Sequence, residues 1–280
     1  MDISKFFSAD IYEMVQQIEG TDKLKRKENL EFLVELTQFR NLVTHIENQE
    51  YSSGQNLYFS LGNSPYIGIG SHYDVVENSP GANDNASAVA VTIDVLRKIK
   101  ENPLRNLGVK GFFFDEEELG LIGSRAYVER YGINDLLGVY NMELVGNGNI
   151  LALWSVDEKQ DTLLLRTLES EARKKGIQTI RFPRIIANTA DHMSFRKKGL
   201  EDSFTLTMIT EEDLKMAPLY YQALNQGFSP DELWEITEKA PVFKHYHKPT
   251  DTSEHIDSKT LELVSDLLYN SIRTIDENYK

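Results

Sequence analysis

Hydrophobic positions along the chain switch between a helical and an extended rhythm. In the first 50 residues they recur at helical spacing and predict two helices. In the second of these, Leu30, Leu33, Leu36, Val43 and Ile46 form a stripe suited to covering one face of a sheet. From residue 55 the rhythm changes. Residues 55–62 alternate like a strand, and 65–71 form a short apolar run that ends at His72. The pattern then predicts a helix over 85–100, a buried strand over 107–114, a helix over 121–130, and strands over 139–142 and 150–155. A helix over 161–175, strands over 179–182 and 203–209, and an amphipathic helix over 260–275 complete it. Strands alternating with helices place the chain in the α/β class, with a central, mostly parallel, mixed β-sheet flanked by helices on both faces. Residues 1–280 read as a single domain. Residues 210–246, rich in Tyr, Phe, Glu and Met, break the alternation and read as an inserted helical excursion, either a lid or an ordinary surface insertion.

The apolar runs end in a consistent way. After YIGIGS comes His72-Tyr73-Asp74, after VKGFFF comes Asp115-Glu116-Glu117-Glu118, and after VYNM comes Glu143. Ligands of open α/β sheets bind outside the carboxyl ends of the strands. A charged residue closing one strand usually just begins a solvated loop. Three such ends, with no basic counterpart nearby in sequence, would raise one another's pKa and take up protons unless a cation neutralised them. Imidazole and carboxylate without thiolate suit zinc, and also cobalt, manganese or iron. The number of carboxylates suggests two ions about 3.5–4 Å apart, bridged by a shared acid. Asp74, two residues beyond His72, points to the same side and can orient the imidazole ring. The turn Gly81-Ala82-Asn83-Asp84-Asn85 allows close backbone approach and can send Asp84 inward, although a helix-capping role is the plainer reading. Glu117 and Glu118 are adjacent and point apart, so one can bind metal while the other serves as a base. His247, before Pro249 in YHKPTDT, suits a ligand on a loop, and His245 is a rival on spacing alone.

Composition narrows the class. The 280 residues hold no cysteine, which excludes disulfides, thiolate–metal sites and thiol catalysis. A net charge of −14 argues against nucleic-acid or anionic-lipid partners. No run approaches a membrane span, and MDISKFFSAD lacks the apolar core of a signal peptide, so the expected location is cytoplasmic.

At these residues the sequence resembles the zinc aminopeptidases of peptidase family M28. The matching segments are HYD at 72–74, GANDNAS at 81–87, EELGLIGS at 117–124, NMELVG at 141–146, ADHMSF at 190–195 and YHKPTDT at 246–252. The resemblance implies two divalent ions. His72 and Glu143 would hold one, Glu118 and His247 the other, and Asp84 would bridge them. It also implies Glu117 as general base toward a water activated by both ions, Asp74 as the orienting acid, and a cis peptide after Asp84. Choosing His247 over His245 rests on the same resemblance. Two positions depart from the family pattern: Glu143 stands where Asp is common, and ADHMSF replaces Ser-Asp-His-x-Pro-Phe, leaving Asp191 and His192 to line or brace the site. Tyr246 is a candidate donor to the oxyanion. Phe228, Trp234, Phe243 and Tyr220 could line an apolar side-chain pocket or form the insertion's own core. The expected substrates are peptides or aminoacyl compounds. A single-zinc, glutaminyl-cyclase-like transferase and a catalytically silent binding protein on the same scaffold are the rival readings.

Overall fold

The computed structural model describes residues 10–38, 45–183 and 190–279. Helix α1 (Ile11–Ile18) opens with a capping box, in which Asp10 and Glu13 each accept the other's backbone N–H. Helix α2 (Lys23–Gln38) buries Leu30 and Leu33 as the stripe requires. The stripe does not continue as a helix, however. Ile46 lies in strand β1 (His45–Glu50), which pairs antiparallel with β2 (Gln55–Leu61), and Val43 falls outside the described residues. An edge strand takes its hydrogen bonds from a neighbour, and a few scattered apolar positions do not reveal that neighbour.

The chain continues through β3 (Tyr66–His72), α3 (Ser87–Glu101), β4 (Gly108–Phe114), α4 (Ile122–Tyr131), β5 (Leu136–Met142) and β6 (Ile150–Trp154). Then come α5 (Leu163–Lys174), β7 (Gln178–Phe182), α6 (His192–Lys197) and β8 (Ser203–Ile209). The insertion supplies α7 (Glu211–Asn225) and α8 (Pro230–Thr237), and α9 (Ser258–Asn278) ends the chain. Helix α6 was not expected from the pattern, because six residues are too few to establish a helical period.

The strands form one eight-stranded sheet in the order β1-β2-β4-β3-β5-β8-β6-β7. Its centre, β4-β3-β5-β8, is parallel. Strands β2 and β6 join it antiparallel on either side. Strand periodicity divides β4 between two cores. Val109 and Phe113 face a large cluster with residues of α1, α2, α3, α5 and α9. Phe112 and Phe114 face a smaller aromatic one with Tyr127 of α4 and Phe195 of α6. Helices therefore cover both faces, and the fold is the expected mixed α/β sheet.

Register then fixes what the strands deliver. His72 is paired with Phe114 on one side, while Gly70 is paired with Asn141 on the other. His72, the run beginning at Asp115, and Glu143 thus emerge at one level on one edge, the carboxyl edge of a parallel sheet.

Candidate metal centre

Two elements close over that edge. The first is the turn from Gly81 to Ala86, which carries Asp84 and in which the Asp84–Asn85 peptide is cis, as the resemblance implied. The second is the loop bearing Tyr246 and His247. Together they convert strand ends into a chamber. The Asp84 carboxylate faces both imidazoles, with Oδ1 3.2 Å from His72 Nε2 and Oδ2 3.2 Å from His247 Nε2. Glu143 Oε2 also lies 3.2 Å from His72 Nε2, and Glu118 Oε2 lies 3.0 Å from His247 Nε2. Two triads result, His72–Asp84–Glu143 and Asp84–Glu118–His247, each offering ligand atoms within 4.8 Å of one another. Glu117 sits between them, forming a third such group with His72 and Glu118. The longer side chain of Glu143 keeps it within reach of His72, so the departure from Asp does not remove it from the site.

The donors fit divalent ions. Among the described residues no Lys or Arg forms an ion pair with Asp74, Asp84, Glu117, Glu118 or Glu143; the ion-pair partners of Asp74, Asp84, Glu118 and Glu143 are imidazoles. Glu118 Oε1 is buried and receives no hydrogen bond. Burial pushes the Glu118 and Glu143 carboxyls up, and the neighbouring Asp84 charge adds to this, while the imidazoles oppose it. Acids crowded in this way need positive charge among them.

A surrounding layer holds each member. Asp74 accepts the backbone N–H groups of Glu117 (3.1 Å) and Glu118 (3.2 Å), and its Oδ1 lies 3.4 Å from His72 Nδ1. It therefore fixes one ligand ring and the acidic loop together. Asn85 donates to Glu143 Oε2 at 2.6 Å, and Asn141 donates to Oε1 at 3.2 Å. Asp251 accepts the N–H groups of Asn83 (2.8 Å) and Asp84 (3.0 Å) and clamps the turn that aims Asp84. Burial and the Asp84 charge push Asp251 up to about 6, against those two hydrogen bonds. Beneath the turn, Arg26 is buried and donates to Tyr73 O and Pro80 O. Burial lowers it to about 10, opposed by Asp74, Asp84 and Asp251, so it stays cationic and offsets part of the local negative charge.

Sequence reasoning gave Asp251 no role of its own, although it lies in the YHKPTDT segment, and it missed Arg26, one basic residue on a Lys/Glu-rich helix. His245 is not brought to the site. Its Nδ1 lies 2.9 Å from Thr250 Oγ1 and its ring stacks on His255. Tyr246 is close by, with its hydroxyl pushed up by burial and by the Asp84, Glu118, Glu117 and Glu143 charges, so it stays protonated. Asp191 and His192 are both fully buried. The Asp191 oxygens have no hydrogen-bond partner, while His192 Nδ1 meets Thr205 Oγ1 at 2.7 Å. Burial holds His192 down to about 3, so it is neutral. Of the insertion's aromatics, Phe228 is exposed and Tyr220 packs with Ala223 and Leu233 in the insertion's own core. A cleft of about 460 Å³ lies beside the ligand loop, lined by Asn83, Leu144, Tyr246 and Asp251 among others.

The model of peptidase family M28 matches residues 56–272. The chain is 31% identical over 205 residues to the probable lipoprotein aminopeptidase LpqL of Mycobacterium tuberculosis, which covers 69% of this chain and 39% of that protein. This chain therefore spans about two fifths of that curated relative's length. Among solved structures, BSAP, a zinc aminopeptidase from Bacillus subtilis, superposes with a TM-score of 0.60 at 23% identity, covering 79% of this chain and 49% of that one. The Porphyromonas gingivalis glutaminyl cyclase superposes with a TM-score of 0.68 at 16% identity, covering 95% of this chain and 97% of that one. These two likenesses concern the fold.

Proposed function

The chain belongs to peptidase family M28, and from that premise we propose that it is a two-metal aminopeptidase that removes N-terminal residues from peptides. One observation carries the reading: Asp84 turns one oxygen to each imidazole, Oδ1 to His72 and Oδ2 to His247, as a bridging carboxylate must. Two divalent ions, zinc or in its place cobalt or manganese, would be held by His72, Asp84, Glu118, Glu143 and His247, and would supply Lewis acidity and a lowered pKa for the attacking water.

The chain's own residues do the rest. Burial pushes the Glu117 carboxyl well above the usual range; His72 opposes this, and Glu143 and Asp191 reinforce it. A carboxylate with raised proton affinity is suited to take a proton from water and return it to the leaving amine. Asp74 holds the Glu117 backbone and the His72 ring in one frame, which preserves the geometry between base and ligand. Tyr246, whose hydroxyl burial keeps protonated, would be the donor to a developing oxyanion. Glu117 and Glu143 would take the substrate's α-ammonium.

A second reading has its own support. Asp84, Glu118 and His247 by themselves form a three-ligand set of the kind a single zinc uses. A glutaminyl-cyclase-like transferase would need no more. Metal stoichiometry of the zinc-loaded protein, measured beside assays on an aminoacyl anilide and on a peptide with N-terminal glutamine, separates the two. Two ions and release of the free amino acid support the aminopeptidase. One ion and pyroglutamate support the cyclase, and a loaded protein inert to both substrates supports a silent binding scaffold.

A further inference from the structure

The two ligand imidazoles are supported in different ways. The His72 side chain is 1% exposed, and its Nδ1 lies 3.2 Å from the Asp74 carbonyl and 3.4 Å from Asp74 Oδ1. The His247 side chain is 34% exposed, and among the described residues nothing pairs with its Nδ1. Its backbone sits at φ 57°, in the left-handed region that is uncommon for a non-glycine residue. The support is an aromatic stack. The Tyr246 and His247 rings lie 3.7 Å apart at 19°. Tyr246 in turn meets Phe243 at 5.4 Å and Trp234 at 5.8 Å, and those two meet each other at 5.9 Å. Trp234 belongs to α8 and Phe243 to the turn after it, both within the insertion that breaks the strand–helix alternation.

We propose that the insertion is the buttress of the second metal site: Trp234 and Phe243 are positioning residues that act through Tyr246 on His247. The Asp84–Glu118–His247 site is then the weaker of the two, and its strength is set by the insertion. A ligand ring without an outer hydrogen-bond partner must be ordered when the ion binds, and that ordering weakens binding unless packing has already ordered it. Aromatic packing on Tyr246 does this ordering in place of the carboxylate that His72 enjoys. One aromatic contact of this kind corresponds to roughly a three- to tenfold change in affinity. The inference rests on the two-metal reading above.

The test titrates the metal-free, full-length protein with cobalt(II), following heat and visible absorption together. Wild type is expected to bind in two steps. In Trp234→Ala the weaker step should weaken three- to tenfold while the tighter step stays within twofold, and Trp234→Phe should restore most of the loss. Should Trp234→Ala fail to fold, Trp234→Leu keeps apolar volume without the ring and should show the same selective loss. Two unchanged steps, or equal weakening of both, would overturn the positioning role while leaving two metals in place. Two ions bound in a single step would overturn this inference alone, and a stoichiometry of one ion in wild type would overturn the two-metal reading and this inference with it.

Discussion

Replacing Asp251 with Asn asks how firmly the bridging carboxylate is held from outside the metal set. Asp251 is 1% exposed, and each carboxylate oxygen accepts one backbone N–H, from Asn83 and from Asp84. Asparagine keeps one acceptor and turns an NH₂ donor toward the other amide. The change removes one charge-assisted hydrogen bond, about 1.5–3 kcal/mol, and leaves a buried N–H unpaired, about 1–3 kcal/mol. Relief of the repulsion between Asp251 and Asp84, roughly 2–3 kcal/mol at an effective dielectric of 20 for carboxylates within about 8 Å, offsets part of this, and the lost attraction to Arg26 returns some of it. The net loss of stability should be about 1–4 kcal/mol. Because the distorted turn carries the shared ligand, affinity for both ions should fall about 10- to 100-fold, as for other losses of outer support. Urea unfolding of the metal-free protein gives the first quantity and calorimetric titration the second. A stability loss under about 0.5 kcal/mol with unchanged metal affinity would show that the turn keeps its shape without Asp251, and the clamp argument would fail.

Glu117→Gln should abolish turnover while leaving metal content near wild type, checked by elemental analysis beside the peptide assay; retained hydrolysis would remove Glu117 as the base. Asp84→Ala should lose metal at both triads, and full occupancy would refute the bridging role. His192 has a folded pKa of about 3 against an ordinary 6.5, so the unfolded chain binds a proton below pH 6.5 that the fold refuses. Its share of stability is therefore present above pH 6.5 and lost on acidification toward pH 3, amounting to roughly 2 kcal/mol by pH 5. In urea unfolding at pH 7 and pH 5, His192→Gln should lose correspondingly less than wild type, and equal losses would mean that His192 is not held neutral.

Local patterning was enough to mark the buried segments and the polar residues that close them. Runs such as YIGIGS and VKGFFF are apolar because both sheet faces are covered, and His72, the Asp115–Glu118 cluster and Glu143 stand out because each begins where such a run stops. That periodicity is written residue by residue, so it can be read without knowing any partner. Long-range packing settled the rest. It ended α2 before Ile46 and gave that residue to an edge strand. It brought His247 rather than His245 to Asp84 and set Arg26 beneath the turn. It carried Asp251 across 168 positions to clamp Asn83. These outcomes depend on which distant segments pack together, and an isolated carboxylate, arginine or histidine has the same local signature whether it ends in solvent or beside a metal ligand. Strand order and register choose among those fates, because only they determine which backbone donors and which charges each side chain meets.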